Sequence, residues 1–131
     1  MLTDTSFIVA TISENDRDHA RCMKCASTLH EPLITTLPCI TEAMHLLHTP
    51  RAQEALMRQV EIGVVQILAL TETDLLRAFE LMRKFSDSPM DFADASLVVA
   101  AGSLKVRTIL TLDSHFYAYQ IDGKFHFTVL P

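Results

Sequence analysis

The chain has 131 residues, of which 49% are hydrophobic; this suits one folded domain, residues 1–131, and excludes a disordered chain. No apolar run reaches the ~18 residues of a membrane span, and no basic flank leads into an apolar N-terminal stretch, so neither a membrane anchor nor a signal peptide is expected. A net charge of −5 excludes a generally basic nucleic-acid coat but leaves room for a local basic rim, and three cysteines with no disulfide framework, beside six methionines, fit a reducing cytoplasm.

Met1-Leu2-Thr3 reads as a short strand, Asp4-Thr5-Ser6 as a turn, and Phe7 to Ile12 as a short apolar helix. Ser13-Glu14-Asn15-Asp16 is a polar break. Residues 17 to 30 follow as a helix, with Cys22, Met23, Ala26 and Leu29 at helical spacing. Leu33 to Leu37 is β-prone, and Pro38 opens a helix that runs through Leu47. Thr49-Pro50 interrupts it. Ala52 to Ile62 is amphipathic and ends at Gly63. Val64 to Leu68 is a β-branched strand. Thr71-Glu72-Thr73-Asp74 has a capping-box pattern and starts a helix to about Phe85. Ser88-Pro89-Met90-Asp91 predicts another helix start, with the helix spanning roughly 89 to 104. Thr108 to Thr111 is a strand, and a last short strand falls within Phe125 to Leu130. Strands alternating with helices predict an α/β fold: a parallel sheet with helices on both faces, its ligand site outside the carboxyl ends of the strands.

The helix after Pro89 carries a chemical anomaly. Phe92, Ala93 and Leu97 to Ala101 leave no wide polar face, so the helix is predicted to be buried. Asp94 nevertheless lies within it, in what reads as the second turn. A buried carboxylate costs several kcal/mol unless it is compensated. Three other acids sit in apolar sequence near strand ends: Asp4 after the first strand, Glu42 in the second turn after Pro38, and Asp113 after the strand at 108–111. Four carboxylates that converge on one sheet edge require cations, because like charges otherwise force protonation. Oxygen-only ligands favour hard divalent ions such as Mg²⁺ or Mn²⁺, which can activate water against a phosphodiester.

The ordered set Asp4-Thr5-Ser6, Thr41-Glu42-Ala43, Asp91-Phe92-Ala93-Asp94-Ala95 and Thr111-Leu112-Asp113-Ser114-His115-Phe116 resembles PIN domains, and the length and spacing resemble bacterial toxin ribonucleases of the VapC type. The resemblance spans essentially the whole chain. It implies a PIN-like α/β/α sandwich with a central parallel sheet of about five strands. It also implies a Mg²⁺- or Mn²⁺-dependent endoribonuclease that leaves 5′-phosphate and 3′-hydroxyl ends. Carried over, Asp4, Asp94 and Asp113 would hold the metal and Glu42 would complete the set, directly or through water. The hydroxyls of Thr5, Ser6 and Thr111 would orient the carboxylates or their waters. RNA as substrate, an antitoxin protein as partner and a homodimer are implied as well. The chain departs from the family pattern in two places. Only three residues precede Asp4, and two acids, Asp91 and Asp94, stand where one is essential. The acid followed by Ala is Asp94 or its equivalent in the family, which leaves Asp91 as a helix cap.

Other motifs read more simply. Cys22-Met23-Lys24-Cys25 has metal-site spacing but stands alone within a helix, so its thiols are expected to be structural, as is Cys39. Glu42-x-x-His45, followed by His48, resembles half of a di-iron motif whose second copy is missing. His115 is by default a loop histidine with no role, although a phosphate contact is conceivable there. Arg17, Arg21 and Lys24 are the first candidates to meet RNA phosphates. Two other functions compete: a receiver-type phosphate-signalling domain, and a non-catalytic PIN-like module that binds RNA or protein. A receiver needs an acid after the third strand and a Lys after the fifth, and neither is present. A non-catalytic module would be favoured by loss of one of the four acids, and all four are there.

Overall fold

A computed structural model describes all 131 residues. Its elements in chain order are β1 (Leu2–Thr3), α1 (Thr5–Ile12), α2 (His19–Ala26), β2 (Leu33–Thr36), α3 (Leu37–Leu46), α4 (Pro50–Glu61), β3 (Val65–Leu68), α5 (Glu72–Lys84), α6 (Phe92–Leu104) and β4 (Thr108–Leu110). A 3-10 turn at Ser114–Tyr117 follows, then β5 (Gln120–Ile121), β6 (Phe125–His126) and β7 (Thr128–Leu130). No helix is long and apolar enough to cross a membrane.

Five strands form one sheet in the order β3-β2-β1-β4-β7, and every neighbouring pair is parallel. From β1 the chain moves outward to β2 and β3, then returns to the other side of β1 as β4. The switch point therefore lies between β1 and β4, where a crevice opens beyond the strand ends. The Asp4 backbone N–H donates to the Leu110 carbonyl across this junction at 2.9 Å.

Alternation along the strands supplies both faces of the sheet. Leu2 and Ile109 enter a core shared with α5 and α6, whereas Leu33, Val65 and Leu110 enter a second core with α1, α3 and α4. The α/β/α sandwich expected from the sequence is thus the observed architecture. The middle helix of the first core is α6, where nine consecutive residues, Ala93 to Ala101, are buried. Its small side chains let it sit close to the sheet. At Gly102 an added Cβ would lie 2.7 Å from Asp122 Oδ1, so a larger residue there would displace the Asp122 side chain.

Several boundaries differ from the sequence reading. Helix α1 begins at Thr5, because Asp4 caps it by accepting from the Thr5 N–H, so Asp4-Thr5-Ser6 is a helix start and not a free turn. Helix α2 covers only 19–26, since 13–18 are taken up by turns. Helix α6 starts at Phe92, three residues after Pro89, and its cap is Asp91 rather than Ser88. Asp94 therefore occupies the first turn, not the second. The single strand expected within Phe125 to Leu130 is two: β6 makes a small antiparallel hairpin with β5, and only β7 joins the main sheet. The Gly63 helix stop, with φ +80, and the Thr71–Asp74 capping box match the sequence reading.

Candidate metal centre

The four acids all lie at the carboxyl edge of the sheet. Asp4 ends β1, Asp113 follows β4, and Glu42 is in the second turn of α3, which leaves the end of β2. Asp94 reaches the same edge because α6 runs back across the sheet toward the start of β4, which puts its N-terminus above the strand ends.

Asp4 is 5% exposed and is held by short bonds. Its Oδ1 accepts from the Thr5 N–H at 2.7 Å, and its Oδ2 accepts from Thr111 Oγ1 at 2.8 Å and from Ser6 Oγ at 3.1 Å. The same hydroxyls tie in the loop after β4: Leu112 N–H donates to Ser6 Oγ at 3.0 Å and Asp113 N–H to Thr111 Oγ1 at 2.9 Å. Ser6 and Thr111 thus orient Asp4 as expected. The Thr5 hydroxyl does not, because it donates to the Cys39 carbonyl and so joins α1 to α3. Burial pushes the Asp4 carboxyl above its ordinary range despite these donors, and the Asp113 charge adds to the rise.

Asp94 is equally buried, at 6%, but is held by longer bonds. With Asp91 it closes a capping box: Asp94 N–H donates to Asp91 Oδ1 at 2.8 Å, and Asp91 N–H to Asp94 Oδ2 at 3.3 Å. Tyr119 Oη also donates to Asp94 Oδ2, at 3.3 Å. Burial pushes Asp94 up to about 7, helped by the charges of Asp91, Asp4 and Asp113. Glu42 is half-buried and raised too, first by burial and then by Asp91, Asp4 and Asp113. The four carboxylates therefore share one field. They do not close into a cage of three ligands, as mutual repulsion favours.

No Lys or Arg pairs with any of the four. Their one ion-pair partner is His115, whose Nδ1 lies 2.6 Å from Asp113 Oδ1. Buried or half-buried like charges without a cation are the condition that a divalent ion relieves, and the donors are all oxygen, the type that Mg²⁺ and Mn²⁺ prefer. The residues present fit such an ion. Asp91 is confirmed as the cap, and its exposed carboxylate also contributes to the shared field.

Two hollows border the acids. A groove of about 1050 Å³ is lined by Leu37, Ile67, Leu75 and Phe92, with Glu42 and Asp91 at its rim. A smaller cleft brings Arg17 together with Ser6 and Leu112, and with the acids Asp16 and Asp18, the second of which lies 3.4 Å from Arg17 Nε. Arg21 is turned away and donates to the Pro131 carbonyl at 3.1 Å. Lys24 lies on the last turn of α2. His45 lines the large groove, and both His45 and His48 are exposed. The three thiols are free; Cys22 and Cys39 are buried and raised to about 11 by burial, which leaves them poor ligands and nucleophiles. Sequence reasoning missed Tyr119, which no periodicity or motif sets apart from Tyr117 two residues before it.

Comparison with known proteins agrees with this geometry. A model of the PIN domain matches residues 1–121. Ribonuclease VapC26 of Mycobacterium tuberculosis (strain ATCC 25618 / H37Rv) is 30% identical over 135 residues, covering the whole of both chains. Among solved structures, the Mycobacterium tuberculosis toxin VapC20, described as cleaving the sarcin-ricin loop, superposes with a TM-score of 0.83 at 21% identity, over 89% of this chain and 92% of its own. FitAcB from Neisseria gonorrhoeae superposes with a TM-score of 0.61 at 18% identity, over 86% and 87% of the two chains. With the fold, the acidic edge and a family match over nearly its full length, the chain belongs to the PIN domain family.

Proposed function

We propose that residues 1–131 act as one divalent-metal-dependent endoribonuclease domain, the toxin half of a type II toxin–antitoxin pair. The observation that carries this reading is the set of buried and half-buried acids at the switch point with no Lys or Arg to neutralise them. Asp4, Asp94 and Asp113 hold Mg²⁺ or Mn²⁺, and Glu42 completes the set from α3. When bound, such an ion supplies Lewis acidity to the phosphate and lowers the pKa of the attacking water. The chain does the rest. Thr111 and Ser6 fix Asp4, the capping box fixes Asp94, and the exposed Arg17 side chain, beside Asp16 and Asp18, offers a positive contact for a phosphate flanking the scissile bond. RNA as substrate is supported by the name of the 30%-identical relative. An antitoxin and a homodimeric assembly belong to the same reading.

Purified protein with Mn²⁺ is expected to cleave a structured RNA, and Asp94→Asn to lower the rate by at least ~10²-fold while the fold persists. Cleavage by Asp94→Asn at the parental rate would remove Asp94 from the site. A parent that cleaves no RNA in Mn²⁺ or Mg²⁺, yet shifts RNA in a gel, would make the domain a binding module instead.

A further inference from the structure

Tyr119 stands 25 residues beyond Asp94 in the chain and belongs to none of the acidic motifs, yet its hydroxyl is the one side-chain donor to the Asp94 carboxylate. The contact ends a short chain of interactions that begins at the other side of the site. Asp113 Oδ1 accepts from the His115 backbone N–H at 2.9 Å and lies 2.6 Å from His115 Nδ1. The His115 carbonyl accepts from the Tyr119 N–H at 3.3 Å, and the two rings stack with centroids 6.5 Å apart. Tyr119 then reaches Asp94. The loop after β4 thus grips an acid at each end.

The tyrosine is placed for that task. It is 1% exposed. Phe116 packs edge-on at 5.1 Å and Phe85 at 5.7 Å, so its ring has one position. The hydroxyl proton is shared between Asp94 Oδ2 and the Pro89 carbonyl oxygen, 3.2 Å away. Pro89 is exposed, so water can serve its carbonyl. Asp94 Oδ2 takes its donors from Asp91 N–H and Tyr119, while Oδ1 takes none and is not sealed from the surface. One oxygen is anchored and the other is left for a cation, the arrangement by which outer groups orient a metal-binding carboxylate.

We propose that Tyr119 is a positioning residue for Asp94, holding its carboxylate through Oδ2 so that Oδ1 is presented to the divalent ion. The inference rests on Asp94 being a metal ligand.

The test is calorimetric titration of the full chain with Mn²⁺, together with thermal unfolding in EDTA. Tyr119→Phe keeps the ring and removes only the hydroxyl. Its Mn²⁺ affinity is expected to fall ~10–100-fold, while its melting point in EDTA moves by about 5 °C or less. Saturating Mn²⁺ is expected to restore most of the RNA cleavage rate in Tyr119→Phe but not in Asp94→Asn. Phe116→Leu, which loosens the ring cluster and spares the hydroxyl, is expected to lower the melting point by more than Tyr119→Phe does and to weaken Mn²⁺ binding by less. If Asp94→Asn abolishes Mn²⁺ binding and Tyr119→Phe binds like the parent, the role of Tyr119 falls and the metal site stands. If Phe116→Leu weakens Mn²⁺ as much as Tyr119→Phe does, packing is the cause and the hydroxyl has no positioning role. If Asp94→Asn binds Mn²⁺ like the parent, or the parent binds none, the metal reading falls and takes this inference with it.

Discussion

Asp4 and Asp94 are almost equally buried, but the protein treats them differently. Asp4 sits at the junction of two strands and accepts three donors between 2.7 and 3.1 Å. Asp94 sits at a helix start and accepts two at 3.3 Å. Both carboxyls are raised by burial, and Asp94 is brought to about 7. The sheet corner is therefore a rigid holder, built from hydroxyls that also fix the backbone leading to Asp113. The helix corner is an under-compensated charge that a cation relieves. A site assembled from one carboxylate held by three donors and one anchored through a single oxygen can bind an ion without a preformed cage.

Thr111→Val tests the rigid corner and is expected to have the largest effect on stability. The substitution keeps the shape but removes the donor to Asp4 Oδ2 and the acceptor for Asp113 N–H. Both partners lie in a poorly solvated corner, where an unmet group costs about 1–3 kcal/mol. Urea unfolding in EDTA should show a loss of that size, and RNA cleavage should fall with it because Asp4 and Asp113 lose their common anchor. An unchanged midpoint would mean that water replaces the hydroxyl and that the corner is not rigid.

Asp94→Asn tests the helix corner and is expected to act in the opposite direction. Asparagine keeps an acceptor for the Asp91 N–H while removing the charge. Between the ordinary carboxyl value near 3.8 and about 7, native Asp94 holds a proton that the unfolded chain has released. Native-state proton uptake makes stability fall as pH rises through that window and flatten above it. In EDTA, the parent should lose stability from pH 4.5 to 7.5 more steeply than Asp94→Asn does. Asp4 and Glu42 are raised as well, so the difference between the two curves is the quantity that belongs to Asp94. At pH 7.5 the variant should be the more stable, by about 1 kcal/mol once screening at the surface oxygen is allowed for. Mn²⁺ should stabilise the parent and leave the variant unmoved. A parent curve parallel to that of the variant would show that Asp94 is already compensated within the chain.

The two corners were not equally legible in the sequence. Strand-to-acid adjacency marks Asp4 and Asp113, and an isolated charge in an apolar helix marks Asp94. The helix start was misplaced because Ser88-Pro89 is a strong local signal. The Asp91–Asp94 capping box prevailed over it, since it satisfies two backbone donors at once. Phe125 to Leu130 reads as one strand because periodicity does not show which partner a short strand pairs with, and Phe125–His126 pairs with β5 instead of the main sheet. Tyr119 was illegible for the same kind of reason. Its value comes from a contact across 25 residues, set by how the loop after β4 folds over α6, and no local pattern records that.

The smallest expected effect concerns charge at the rim. Arg17 is 94% exposed along its side chain and makes only a 3.4 Å contact with Asp18, so Arg17→Ala should change stability by no more than about 0.5 kcal/mol. It shares a cleft with Ser6 and Leu112 at the rigid corner, where a phosphate next to the scissile bond would pass. RNA binding measured across salt concentrations should therefore weaken for every sequence alike, and the salt slope should drop by ~1. Arg21→Ala provides the contrast, because that guanidinium is engaged at the Pro131 carbonyl and should leave the slope as it was. If Arg21→Ala lowers the slope and Arg17→Ala does not, RNA runs along the α2 side of the C-terminus and the cleft beside Asp4 is not its path.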